Sequence, residues 1–320
     1  MVKKSIRSFF IGCQLICSLV LPAQQNTGLL TADGAWCWFS DPRAIMTIDH
    51  QVMTGWVRKD GGIEAASFNP LTKKIETKML FAKMEIDDHD NPAFAQLPNG
   101  EIISMYTWHS SKKGIVWQKT DPDGSVSSFS DPVVIRPGIE TLLPDFPRET
   151  YTYANPFYLS DEKTLYSFGR WIGYKPNWIK SKDGGKTWSD EKVIISRNPF
   201  DPNNRPYVKY ASDGKSRIHL IFTDGHPRVE PNNSVYHCYY EANAFWRSDG
   251  SKICSVDELP FQTEEATLVY KADSLMGRAW IADIGLDTDG TPYVLYTRHP
   301  QETDHRYHYS WFDAQSKTLL

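Results

Sequence analysis

The chain has 320 residues, and 35 Lys and Arg against 39 Asp and Glu leave a net charge of −4. Hydrophobic residues at 40% and aromatics at 13% can fill a sizeable core, which excludes a disordered chain. The slight acidity and the lack of a long basic run exclude a general nucleic-acid binder, though not a local basic cleft for an acidic substrate.

At about 150 residues per domain, the length admits two domains or one large unit. The first 23 residues read as a secretory signal. Lys3, Lys4 and Arg7 precede an apolar run from Phe9 to Leu21 that is broken only by Gln14 and Ser18, and Pro22-Ala23 follows as a small-residue cleavage point. Lipoprotein anchorage at Cys13 or Cys17 fits less well, because the apolar stretch before Cys13 is short and Ile16 precedes Cys17. No later segment reaches about 18 uninterrupted apolar residues, so no transmembrane segment is expected. Residues 24–320 are then a single exported domain, secreted or periplasmic and monomeric. Cys37, Cys238 and Cys254 remain after cleavage; an odd number makes three buried thiols the expectation rather than a disulfide framework.

Beyond the signal, short alternating β-branched and aromatic runs are bounded by turn residues. Residues 44–48 and 51–57 flank Asp49-His50. Residues 101–106 follow Asn99-Gly100, and 164–168 follow Ser160-Asp161. Residues 217–222 follow Asp213-Gly214, and 291–296 follow Asp289-Gly290. Amphipathic helices are not evident. The turn markers are spaced by 50, 62, 52 and 76 residues, and Asp249-Gly250 in the last gap suggests two units there. Several short strands in a repeat of roughly 40–50 residues predict an all-β fold, a β-propeller.

Ser181-Lys182-Asp183-Gly184-Gly185-Lys186-Thr187-Trp188 matches the Asp-box pattern, Ser-x-Asp-x-Gly-x-Thr-Trp, at every fixed position. Asp and Ser take turn amides, Gly relaxes the backbone and Trp packs between strands. This box signals fold and carries no chemistry.

Polar residues are too dense for ordinary turns in four stretches: 33–43, 87–94, 151–156 continuing to 168–171, and 207–210 with 223–228. There "DGAWCWFSDPRA", "DDHDNPAF" with "YTWHS", "YTYANPF" with "FGRW", and "TDGHPR" with "NSVYHCYY" resemble the BNR-type secreted polysaccharide lyases, ulvan lyases in particular, over residues 34–309. The resemblance implies a seven-bladed propeller that cleaves a uronic-acid polysaccharide, ulvan-like or rhamnosyl-glucuronate, by β-elimination. It implies His89 as the catalytic His, His109 as a second His at the carboxylate, Tyr153 as the catalytic Tyr and Arg170 as the neutralising Arg. Tyr210 matches a supporting Tyr less closely, and Tyr207 competes for that place.

These residue types suit the reaction. Removing the C5 proton of a uronate builds charge on its carboxylate, which a guanidinium pairs bidentately without losing its own charge. A base takes the proton and an acid protonates the leaving oxygen. A His or a Tyr near a cation can fill either role, and which of His89 and Tyr153 is the base stays open. Trp36, Trp38, Asp41 and Arg43 read as packing and ion pairing, with Arg43 able to reach substrate. No cofactor is needed for catalysis. A structural zinc would draw on His226, His237 and Cys238, although adjacent His237 and Cys238 point to opposite faces of a strand. The competing readings are a sialidase-like hydrolase, which would use paired acids from Asp87, Asp88 and Asp90, and a non-catalytic carbohydrate-binding propeller. The chain stops soon after an apparent strand, so a truncated chain or closure with fewer blades is also expected.

Overall fold

A computed structural model of the chain describes residues 28–140, 150–313 and 318–319. The signal segment, 1–23, lies outside them. Thr31–Leu320 forms one unit and Met1–Leu30 another, and every sheet belongs to Thr31–Leu320.

The turn-bounded runs form five antiparallel sheets. Sheet 1 joins β1 (Ala44–Met46), β2 (Val52–Val57), β3 (Ile63–Phe68) and β4 (Ile75–Phe81) in order. Sheet 2 joins β5 (Ala93–Gln96), β6 (Ile102–Thr107), β7 (Ile115–Lys119) and β8 (Val133–Ile135). Sheet 3 joins β9 (Asn155–Leu159), β10 (Thr164–Ile172), β11 (Lys175–Ser181) and β12 (Lys192–Val193). Sheet 4 joins β13 (Val208–Ser212), β14 (Arg217–Thr223), β15 (Val235–Glu241), β16 (Ala244–Trp246) and β17 (Lys252–Ser255), with β18 (Thr267–Tyr270) also on β15. Sheet 5 joins β19 (Arg278–Leu286), β20 (Pro292–Gln301), β21 (Asp304–Asp313) and β22 (Thr318–Leu319). The helical segments among the described residues are single 3₁₀ turns, and no helix there is long and apolar enough to cross a membrane.

The five turn markers each close the first hairpin of a different sheet. Asp249-Gly250 does not open another unit. It turns β16 into β17 and so widens sheet 4 outward. The described residues therefore hold five sheets where the resemblance implies seven.

Consecutive sheets pack face to face. Met53, Ile63, Phe94 and Tyr106 fill the space between sheets 1 and 2. Ile103, Met105, Leu165 and Ile179 fill that between sheets 2 and 3. Phe168, Trp178, Leu220 and Phe245 join sheets 3 and 4, and Ile221, Val235, Ile281 and Val294 join 4 and 5. Central strands covered on both faces are buried throughout, as β6 and β10 are, instead of alternating. Each such large apolar side chain contributes about 1.5–3 kcal/mol. Cys37, Cys238 and Cys254 are buried and unpaired.

The first strand of every sheet lines one cavity of about 550 Å³: Ile45, Ala95, Phe157, Ala211 and Ile284 all face it. The segments that lead into β1, β5, β9 and β13 carry the dense polar motifs.

Candidate active site

Two asparagines tie these segments together. Asn91 accepts the amide of Cys37 at 3.0 Å, and Asn155 accepts that of Asp41 at 2.6 Å. Both belong to the Asn-Pro pairs that open β5 and β9. Segment 37–41 is thereby held across sheets 2 and 3.

His89 lies in a 3₁₀ turn, Asp88–Asp90, capped by Asp87, whose Oδ1 accepts the His89 amide at 2.9 Å. His109 follows β6, and its amide donates to Glu85 Oε1 at 2.5 Å. The two imidazoles stack with centroids 3.9 Å apart and planes 11° apart. Nδ1 of His89 is 2.6 Å from Asp87 Oδ1 and 2.8 Å from Asp88 Oδ1; Nδ1 of His109 is 2.8 Å from Asp87 Oδ2. Burial works against the Asp87 charge, but the His89 amide and both imidazoles outweigh it and hold the carboxyl below the usual range.

Tyr153 reaches this pair through a backbone bridge between Ser111 and Tyr151 and a 3.0 Å bond from the Ser110 amide to Thr152 Oγ1. Its φ of 65° is left-handed, uncommon for a bulky side chain and held by its surroundings. The Tyr153 carbonyl accepts Trp171 Nε1 at 2.8 Å, and the Thr152 carbonyl accepts the Arg170 amide at 3.1 Å. The Tyr153 ring lies 5.5 Å from that of His89. Burial pushes its phenol well above the usual range against the opposing pull of Arg170.

Arg170 comes from β10 where the pairing with β11 shifts register between Gly169 and Ile172. Gly169 is required there, since a Cβ would meet Trp171 Nε1 at 2.0 Å. The Arg170 guanidinium lies 5.3 Å from the Tyr153 centroid and 4.4 Å from that of Tyr207. Arg170 is 6% exposed, and its Nε and Nη1 have no hydrogen-bond partner. A space of about 20 Å³ lies beside it, lined by Phe39, Tyr153 and Tyr207. Burial disfavours the charge, but the Tyr207 and Tyr153 phenols more than offset this, so the group stays a cation.

His89, His109, Tyr153, Arg170 and Tyr207 therefore come together. Tyr210 makes no ring contact with the His89–Tyr153 pair: it packs on Phe168, at 4.6 Å, and lines both the axial cavity and the small space beside Arg170. Arg43 also lines that cavity, 3.6 Å from Asp41 and 4.5 Å over the Trp36 ring.

His226, His237 and Cys238 are not brought together. His226 packs on Tyr207 and Trp280 at 5.5 and 4.8 Å, at the active-site cluster. His237 faces His219, 3.2 Å away, and Ser248, 2.7 Å away, whereas Cys238 enters the core between sheets 3 and 4. Opposite directions of neighbouring side chains in β15 separate the last two. Among the described residues, the one group of three or more His, Cys, Asp or Glu donor atoms within 4.8 Å is Asp87, His89 and His109.

Sequence reasoning missed Phe39, Trp280 and the use of Asp87. Phe39 and Trp280 wall the site: Phe39 lies 5.6 Å from Tyr153, 4.9 Å from Tyr207 and 5.3 Å from Trp280. The crowding of acids around His89 was the available signal for Asp87.

A family profile described as a BNR repeat-containing family member matches residues 51–318. No curated protein matches the chain. Among solved structures, an ulvan lyase described as a new family of polysaccharide lyase superposes with a TM-score of 0.67 at 13% identity, covering 90% of this chain and 71% of that one. An ulvan lyase bound to -[GlcA(1-4)Rha3S]- gives the same values. A Cellvibrio cellulosa α-L-arabinanase complexed with arabinohexaose has a TM-score of 0.48 at 11% identity, covering 88% of this chain and 93% of that one. At 13% identity the likeness to the ulvan lyase is one of fold.

Proposed function

The chain belongs to the BNR repeat-containing family, and from that premise we propose that it is an exported polysaccharide lyase that cleaves a uronic-acid polymer by β-elimination. The five sheets are read as blades around the axial cavity, with the site built largely on the segments that lead into their first strands. One observation carries the proposal: two imidazoles, a phenol and a buried guanidinium with unmet donors meet at one place. Unmet N–H groups on a buried cation call for an anionic acceptor, and the substrate carboxylate of the ulvan lyase bound to GlcA-Rha3S is of that kind.

Arg170 carries the charge that develops on the carboxylate as C5–H is broken. His89 takes that proton. Electrons then form the C4–C5 double bond and expel the glycosidic oxygen from C4. Tyr153, kept a phenol by burial, protonates that oxygen. Tyr207 lines the carboxylate side under Arg170, His109 backs the His89 ring, and the partly buried Trp280 offers a face for the sugar ring. Each role in this scheme has a side chain.

Incubation with ulvan and with rhamnose-capped glucuronate glycans should produce the ultraviolet absorbance of an unsaturated uronate. His89→Ala and Arg170→Ala should each lower the rate by about 100-fold or more. New reducing ends without that absorbance would mean hydrolysis and overturn the reading, as would binding without cleavage.

A further inference from the structure

Each imidazole of the stacked pair places Nδ1 on a different oxygen of one carboxylate, at 2.6 Å for His89 and 2.8 Å for His109. An ionised carboxylate only accepts hydrogen bonds, so both nitrogens must carry hydrogen. We propose that Asp87 is the positioning residue of this site, holding His89 and His109 in the Nδ1–H tautomer so that both rings present a bare Nε2 on one side. The lowered pKa of Asp87 agrees, since the acceptor stays charged through the neutral range. A ring that accepts a proton through Nε2 becomes an imidazolium whose charge already faces the Asp87 carboxylate. The consequence for catalysis rests on the lyase reading; the tautomer assignment does not.

The neighbours make the proposal specific. Asp87 Oδ1 also accepts the His89 amide, at 2.9 Å. In Asp87→Asn the amide oxygen must keep that position to preserve the cap, which turns the NH₂ group toward His109. His89 retains a second acceptor in Asp88 Oδ1, at 2.8 Å, whereas His109 directs its Nδ1 to Asp87. The substitution should therefore flip His109 to the Nε2–H tautomer and leave His89 unchanged.

Nitrogen-15 NMR of the imidazoles in the full chain tests this. With the imidazoles neutral, wild type should show both rings as Nδ1–H, and Asp87→Asn should move His109 alone. On the proposed substrate, kcat of Asp87→Asn should fall by about 100-fold with KM changed by less than about threefold, and Asp87→Glu should recover part of the loss. An Nε2–H signal from either ring in its neutral form in wild type overturns the proposal, as does an unmoved His109 in Asp87→Asn. If Asp87→Asn fails to fold, the wild-type spectrum alone decides. Both Nδ1–H signals in a wild-type chain without any elimination activity would uphold the positioning and remove the lyase reading instead.

Discussion

Asp90 closes the 3₁₀ turn that carries His89 and is fully buried; burial, reinforced by the nearby Glu85 carboxyl, pushes its pKa up to about 9. The folded protein thus keeps a proton on Asp90 that the unfolded chain releases near its ordinary value. A native state that binds more protons than the unfolded one loses stability as pH rises, here from about 4 up to about 9. Asp90→Asn keeps the shape and removes the titration. Between about pH 5 and about pH 8, wild type should lose up to about 4 kcal/mol through this group, and the variant should not. Denaturant unfolding at the two values checks it; equal losses in both proteins would refute it. His89, His109, Tyr153 and Arg170 were legible as residues because each sits in a short, dense motif. The role of Asp87 was not, because its second partner lies 22 positions away and only folding brings that imidazole to the carboxylate.

At the element scale the Asp-box behaves as its pattern implies. Ser181 Oγ donates to Asp183 Oδ1 at 2.8 Å and accepts the Gly185 amide at 2.8 Å; Asp183 also accepts the Thr187 amide at 2.9 Å and the Thr187 hydroxyl at 2.6 Å. Gly184 and Gly185 both take left-handed φ, 71° and 88°. These bonds, led by that of the Thr187 hydroxyl, hold the Asp183 carboxyl down to about 2. Asp183→Ala should cost about 1–2 kcal/mol of stability without changing the activity of folded protein. Unfolding curves alongside turnover would settle it, and lost turnover in a fully folded variant would give the box a role in chemistry that its geometry does not suggest. The first hairpins were readable because their turns need particular residues. The outer hairpin at Asp249-Gly250 carries the same turn chemistry, so local pattern could not tell widening of a sheet from the start of a new one.

For the whole unit, Lys209 is the residue that ties sheets around the axial cavity. Its ammonium is fully buried, 2.6 Å from Asp41 and 3.5 Å from Asp283, and it donates to the Trp38 carbonyl. It thus joins β13 to the segment before β1 and to β19. Lys209→Met would leave Asp41 buried at 8% exposure without its main counter-charge. Breaking one side of a buried pair costs about 3–5 kcal/mol, so the melting temperature should drop sharply, and Lys209→Met with Asp41→Leu should recover much of the loss. A single variant as stable as wild type would show that the pair does not hold the sheets together.

The strand-rich class, the first hairpin of each sheet, the Asp-box and the side chains available for chemistry were all written into the order of residues. These depend on neighbours a few residues apart, through strand alternation and the φ demands of turns. Packing in three dimensions was needed to show that five sheets stand among the described residues and that Arg170 stacks on Tyr207 while Tyr210 borders the space beside it. It also sent His226 to the site while His237 and Cys238 went elsewhere. Those outcomes turn on which face of a strand a residue takes and on contacts between residues far apart in the chain, as between Lys209 and Trp38 or Phe39 and Trp280. Only the stacking of sheet against sheet fixes them.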